Sequence, residues 1–455
     1  MSHTSIPSGL GSALTAETMV RYWLPLLSFS RLVLCGLMLF GLVLLMFGAG
    51  SRSAWASGIE VLPGYQLEKI AEVPGARQMV LSAAGHLYVG SRREGKVHVV
   101  EDFVRGGRDA RVILTGVEMP SGVAMDRQGD LLVSAVNEIW MLTNADQALD
   151  SIAELSAAPS SATALMRHWK LLTHEVPSHG HHGWKAIELS PDQSQLIVPV
   201  GAPCNICLVY PQVKEPTGTL LAVDVRQLKA GQLDYDIIAQ GVRNSVGMAF
   251  HPLTQQLWFS DNGRDWMGDD MPPCEINRIA AGSVGMAHRE QPPHFGFPFV
   301  HGNPRRGGIV EPQADIARYR SAATAYVSPV FEIQAHSAPL GIHFYQGRDA
   351  SLKGRLLVAE HGSWNRSSPV GYRVSGYPLQ QAQLQQYKPQ QSEPQQPQRQ
   401  YADEAPLILV NFLDSDGNKL GRPVDLIEMQ DGALLISDDA NGVVWRLSKA
   451  PAPAN

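Results

Sequence analysis

Six copies of one short phrase run through this chain, each an apolar triplet set behind a turn and another apolar stretch. The triplets are Leu87-Tyr88-Val89, Leu131-Leu132-Val133, Leu196-Ile197-Val198, Leu257-Trp258-Phe259, Leu356-Leu357-Val358 and Leu434-Leu435-Ile436. Turns such as Ala83-Ala84-Gly85-His86, Asp126-Arg127-Gln128-Gly129 and Gln430-Asp431-Gly432-Ala433 precede them, so each unit reads strand, tight turn, strand. A lone hairpin cannot bury both of its faces, whereas blades set radially around a channel can. The repetition therefore predicts an all-β fold, a six-bladed β-propeller. Unequal intervals between the triplets put loops of different length on a common core, and those loops are where a site is to be sought.

A chain of 455 residues has room for two or three average domains, but repeats spread over most of it favour one closed domain over residues 57–449. The formal charge is only −6 and there is no basic run, which argues against nucleic-acid binding. Arg31 is followed by an uncharged apolar run to residue 50 and then by Ala54-Trp55-Ala56. This pattern predicts an export signal over residues 1–56, cleaved after Ala56, and a periplasmic or exported protein; a retained membrane anchor is the alternative. Cys35 falls inside that segment. In an oxidising compartment Cys204-Asn205-Ile206-Cys207 forms a local disulfide, or one of the pair bonds Cys274. Zinc would need a fourth ligand, a thioredoxin-like role a βαβ setting, and covalent haem a His where Leu208 stands.

Residues 59–65 begin a strand expected to pair with the last blade and so close the ring. The blades are predicted over residues 78–101, 121–142, 184–225, 246–279, 340–379 and 424–447. Residues 146–165 are Ala/Ser-rich and read as a short helix or loop. The Gln/Pro-rich stretch at 380–401 cannot build a core and reads as a surface insert.

The densest polar group is His174, Glu175, His179, His181 and His182, just before the third blade. Such a cluster can ligate a metal, supply a general base, or simply be a solvated loop. Gly241-Val242-Arg243-Asn244-Ser245 and Gly421-Arg422-Pro423 precede the first strands of blades four and six. Equivalent blade positions converge on the channel, so His181, Arg243, Asn244 and Arg422 are expected to face one pocket. An Arg beside a His base suits chemistry that builds negative charge on an acceptor. The loop Asp261-Asn262-Gly263-Arg264-Asp265, with Asp269 and Asp270, suits a hard cation such as calcium, or is an acidic turn. Asp414-Ser415-Asp416-Gly417-Asn418 lacks the distal Glu of a calcium loop and reads as a plain turn. No nucleotide-binding glycine fingerprint lies between a strand and a helix, and there is no Gly-x-Ser-x-Gly elbow.

Several phrases carry a resemblance. They are Val73-Pro74-Gly75-Ala76-Arg77, Val200-Gly201-Ala202-Pro203 with the cysteine pair, Arg243-Asn244-Ser245-Val246-Gly247, Asn262-Gly263-Arg264-Asp265 through Gly268-Asp269-Asp270-Met271-Pro272-Pro273, Gly362-Ser363-Trp364-Asn365-Arg366, and Gly421-Arg422-Pro423-Val424-Asp425. Over nearly all of the chain after the N-terminal segment, the sequence resembles the soluble quinoprotein glucose/sorbosone dehydrogenases, especially the L-sorbosone dehydrogenase branch. The resemblance implies a propeller that holds pyrroloquinoline quinone (PQQ) and calcium and oxidises a sugar or sugar-derived aldehyde. A respiratory or dye-like electron acceptor is the partner it implies. The family's catalytic His precedes a basic residue by four positions, which selects His181 ahead of Lys185. By the same carry-over Arg243 acts in catalysis and, with Asn244, contacts the quinone. Lys185 and Arg422 bind the cofactor, Arg366 stands in for the family's cofactor Lys, and the carbonyls of Gly263 and Arg264 hold calcium.

The chain also departs from the glucose-oxidising branch. Pro120-Ser121-Gly122 and Gly201-Ala202 stand where that branch has a Gln and an Asp near the sugar, which argues against glucose. The rival expectations are a metal-dependent propeller lactonase and a non-enzymatic binding propeller.

Overall fold

The computed structural model describes residues 58–156, 166–178, 180–207, 216–279, 292–379 and 405–451. The segment over residues 1–56 expected to direct export, His179 and the stretch 380–401 read as an insert lie outside the described residues. The strands form six antiparallel blades. Blade one is Ala76–Leu81, Leu87–Ser91, Lys96–Val100 and Ala110–Thr115, and blade two is Gly122–Met125, Leu131–Ser134, Ile139–Leu142 and Trp169–Thr173. Blade three is Glu188–Leu189, Gln195–Val200, Thr219–Asp224 and Tyr235–Gln240; blade four is Met248–Phe250, Leu257–Asp261, Cys274–Ile279 and Phe331–Ile333. Blade five begins Pro339–Phe344, Arg355–Glu360, Arg373–Pro378 and Leu407–Asn411, and blade six Pro423–Glu428, Leu434–Asp438 and Val443–Lys449.

Every predicted triplet lies in the second strand of its blade, and no member is more than 1% exposed. A strand covered on both faces reads as a continuous apolar run instead of an alternation. Successive side chains still point to opposite faces, so a triplet's middle residue and its outer pair serve different interfaces. Tyr88 packs with Leu131 and Val133, Leu132 with Leu196 and Val198, and Ile197 with Leu257 and Phe259. Trp258 packs with Leu356 and Val358, and Leu357 with Leu434 and Ile436. Leu435 then packs with Leu87 and Val89, closing the circle.

Closure by an N-terminal strand is also present, with a shift in register. The strand that pairs with Val443–Lys449 is Tyr65–Glu72, whereas Glu60–Val61 pairs with Leu407–Asn411 and adds a fifth strand to blade five. A turn at Leu62-Pro63-Gly64-Tyr65 separates them: the Tyr65 amide donates to the Leu62 carbonyl at 3.0 Å, and Gly64 takes φ +85°, open to glycine without a steric penalty. Residues Ala145–Ser156 form a helix, as the 146–165 stretch allowed. Cys204 and Cys207 are joined in a disulfide, and Cys274 is a buried free thiol.

Candidate active site

Loops from different blades enclose a cavity of about 440 Å³ at one end of the channel. One wall is organised by Asp439, which follows the triplet strand of blade six. The Asp439 carboxylate accepts from Arg77 at 3.1 Å and from the His361 Nε2 at 2.8 Å, and Arg92 lies 3.7 Å away. Burial pushes up the Asp439 carboxyl, yet His361, Arg77 and Arg92 together hold it well below the usual range. Burial also drives the His361 pKa down to about 4 against the pull of Asp439, so the imidazole is neutral at pH 7. Arg422 donates to the carbonyls of His361 at 3.1 Å and Gly362 at 2.8 Å and lies over the Tyr372 ring, 5.4 Å from its centre. Arg92 covers the face of Trp184 at 4.8 Å.

The opposite wall is built on Arg243. Its Nε donates to the Asn205 carbonyl at 2.9 Å, Nη1 to the Gly263 carbonyl at 2.9 Å, and Nη2 to Asn205 Oδ1 at 2.9 Å and Asp265 at 3.2 Å. The backbone amides of Arg243 and Asn244 both donate to Asp261, at 2.9 and 2.7 Å. Burial raises the Asp261 pKa to about 6 in spite of those bonds. His181 stands on a single turn, Gly180–His182, with its side chain exposed at the cavity. His182 behind it is buried, its Nδ1 2.6 Å from the Ala202 carbonyl. A Cβ at Gly201 would come within 2.4 Å of the His182 Cβ, so Gly201 is where it is because His182 packs on it.

Of the residues singled out in the sequence, His181, Arg243, Asn244, Gly263 and Arg422 line one cavity. Three others do not. Lys185 is buried with its ammonium 3.5 Å from the Gly183 carbonyl, and burial lowers its pKa to about 7. Its carbonyl accepts the hydroxyls of Ser121 and Ser134, so its clearest role is tying blades together. Arg366 donates from its Nη groups to the Asp269 carbonyl and the Asp270 carboxylate, and its Nε is buried without a partner. Arg264 turns its side chain to Glu311 in a buried group with His301, whereas the calcium expectation concerns its backbone carbonyl. His174 and Glu175 are exposed outside the cavity. The sequence did not single out Arg92, His336, His361 or Asp439, and gave Arg77 no role. His361 and Asp439 follow the triplet strands of blades five and six as Asn262 follows that of blade four, so blade equivalence was the signal available.

Four arginines reach the cavity, and two carboxylates, Asp265 and Asp439, pair with them. Among the described residues the Arg422 guanidinium has no carboxylate partner; only its backbone amide meets one, Asp438, at 3.0 Å. Arg92 Nε and Asn262 Oδ1 are buried without a hydrogen-bond partner. The unpartnered Arg92 Nε, a donor in a cationic cavity, fits the carbonyl and carboxylate oxygens of a planar polyanion such as PQQ, while the Asn262 Oδ1, an acceptor, fits a donor such as its pyrrole N–H. Calcium fits less well: the Gly263 carbonyl assigned to it already accepts from the Arg243 guanidinium at 2.9 Å, which would repel a cation. Among the described residues no group of His, Cys, Asp and Glu is arranged to hold a metal.

The sequence matches the TrAA12-like family over residues 59–301 and 309–450. An uncharacterized protein of Borreliella burgdorferi is 30% identical over 397 residues, 86% of this chain and 91% of that protein. The pyrroloquinoline quinone-dependent pyranose dehydrogenase of Coprinopsis cinerea is 23% identical over 441 residues, and the match covers 86% of this chain but 56% of the fungal protein. Its PQQ domain in the holo form superposes with a TM-score of 0.64 at 18% identity, covering 86% of this chain and 96% of that one. A Trichoderma reesei enzyme of carbohydrate-active family AA12 superposes with a TM-score of 0.65 at 20% identity, covering 86% and 98%. At these identities the structural likeness speaks for the propeller; the match along the sequence goes further, and on it the chain belongs to the TrAA12-like family.

Proposed function

We propose that this protein is a PQQ-dependent oxidoreductase that oxidises a sugar at a carbon bearing a hydroxyl, with sugar-derived aldehydes of the sorbosone type as a second substrate class. The observation that carries the proposal is the cationic cavity with its unpartnered Arg92 Nε and Asn262 Oδ1, open beside an exposed His181. Relatives named as PQQ-dependent pyranose dehydrogenases lend support. When bound, PQQ supplies acceptance of a hydride, so that H–C–O–H becomes C=O and the hydroxyl proton is left for the protein. His181 is the base placed to take that proton. Arg77, Arg92 and Arg422 bind carboxylates, and Arg243, fixed by Asn205, presents a positive charge that does not have to reorganise. Asn244 completes that wall. No step is assigned to calcium. Export of the chain, with residues 1–56 as its signal or anchor, belongs to the same proposal and would bring the enzyme to a respiratory acceptor.

Calorimetric titration of PQQ into the full chain, with and without calcium, followed by dye reduction with a panel of sugars, tests this. His181→Ala should lower turnover by about a thousandfold and keep PQQ binding. Arg422→Ala should weaken PQQ binding about tenfold or more. Absence of PQQ binding in either condition, or full turnover in the His181 variant, would overturn the assignment.

A further inference from the structure

Two indole rings stand in solvent at the cavity mouth. Trp266 is 66% and Trp364 65% exposed, and they meet edge to face with centroids 5.4 Å apart at 86°. Trp364 also lines the cavity, so the pair continues the site outward. Trp266 follows Asp265 on the loop after the triplet strand of blade four, and Trp364 is on the corresponding loop of blade five. The two loops are fastened together. Arg366 donates to the Asp269 carbonyl and, at 3.0 Å, to Asp270, while the Ser367 amide donates to the Asp269 carboxylate at 3.1 Å. Trp266 takes φ +68°, a backbone region unfavourable to a bulky residue. The fold thus holds an indole in water in an unfavourable conformation, on a braced loop, beside its site. Large rings left exposed in this way mark a place where something binds.

We infer that Trp266 and Trp364 form a subsite for a second pyranose ring, so that the chain acts on the end of an oligosaccharide in preference to a free monosaccharide. This rests on the proposed oxidation of sugars in the cavity. A pyranose offers an apolar C–H face that stacks on an indole and a rim of hydroxyls that stay hydrated. The corner between two edge-to-face rings accepts such a face while the next sugar reaches past Trp364 into the cavity. Among the described residues of these two loops Met271 alone adds another exposed large apolar side chain, and three side chains are too few for a stable protein interface.

The test compares a panel of monosaccharides, glucose among them, with cellotriose and maltotriose on the PQQ-loaded full chain and on Trp266→Ala and Trp266→Phe. Trp266→Ala should lower the trisaccharide-to-monosaccharide ratio of kcat/KM about tenfold, and Trp266→Phe should restore part of it. In parallel, quenching of intrinsic fluorescence by each trisaccharide is measured on the chain without PQQ; Trp266→Ala should abolish it. If no sugar is oxidised but quenching is seen and lost in the variant, the subsite stands and the oxidoreductase assignment falls. An unchanged ratio together with unchanged quenching, or an effect confined to the KM of the electron acceptor, would overturn the subsite.

Discussion

At the scale of single residues, the site depends on one asparagine as much as on its arginines. Asn205 accepts Arg243 Nε on its carbonyl and Nη2 on its Oδ1, accepts the Asp265 amide at 2.8 Å, and donates to the Asp265 carbonyl at 3.1 Å. It sits inside the Cys204–Cys207 disulfide loop, which limits the backbone conformations open to it. Removing its side chain takes one bond from Arg243 Nη2 and the bonds of the Asp265 amide and carbonyl, all part-buried, and losing a bond to a charged group there costs about 1.5–3 kcal/mol. Asn205→Ala should therefore weaken PQQ binding about tenfold, and reduction of the disulfide should weaken it in the parent chain but add little in the variant, as calorimetry would measure. The sequence showed the cysteine pair and Arg243 but not the bond between them. A side chain's partner across blades is set by where two loops converge, and no local pattern encodes that. For the same reason the sequence offered Arg366 as a cofactor ligand without showing that its Nη groups bond Asp269 and Asp270.

At the scale of elements, the second strands were legible because neighbouring blades cover both their faces, which leaves an unbroken apolar triplet in the sequence. The outer strands Ala110–Thr115 and Tyr235–Gln240 were not, since they mix buried and half-buried positions and their composition resembles a loop. The inner strands carry a different signal, polar residues turned toward the channel. Glu188 and Asp425 face each other there closely enough to interact, and burial, reinforced for Glu188 by Asp425, pushes their pKa values up to about 8 and about 6. Both side chains are half-buried at the surface of the channel but lie deep in the protein, and desolvation governs. A carboxyl whose folded pKa is raised contributes stability in full below its unfolded value and loses it as pH rises through the folded one. For Glu188 that window runs from 4.5 to about 8. Tm should fall across this range, and Glu188→Gln should flatten the profile, gaining about 2 °C at pH 8 with little change at pH 4, by scanning calorimetry. A variant profile parallel to the parent's would contradict the placement of the charge.

At the scale of the whole molecule, stability depends on a ring with no weak joint. The middle residue of each triplet packs against the outer pair of the next, and Leu435 against Leu87 and Val89 returns the last blade to the first. Hydrogen bonds reinforce the same closure: the Met79 amide donates to Asp425 at 2.8 Å, and the Gln78 side chain bonds the Val123 amide at 3.1 Å and the Ile187 amide at 2.9 Å. The chain order breaks most fully at blade six, whose outer strand Tyr65–Glu72 comes from the other end of the domain. Deleting residues 58–72 would leave Val443–Lys449 as an open edge and expose Ile70's partners, so the shortened chain should aggregate or melt well below the parent. The pairing shows how to restore it. Tyr65 lies opposite Lys449, and the Ala450 amide donates to the Gly64 carbonyl at 2.9 Å. A chain that starts at Val73 and runs from Ala450 through a short turn into Tyr65–Glu72 would make blade six a continuous hairpin meander. It forfeits the Glu60–Val61 strand on blade five, which is peripheral to the ring. This permuted chain should be monomeric by size exclusion, melt cooperatively above the deletion variant, and bind PQQ within about threefold of the parent, because no residue of the cavity wall has moved in sequence relative to its blade. If it aggregates like the deletion, the N-terminal strand does more than cover an edge, and its covalent attachment to blade one is itself part of what closes the ring.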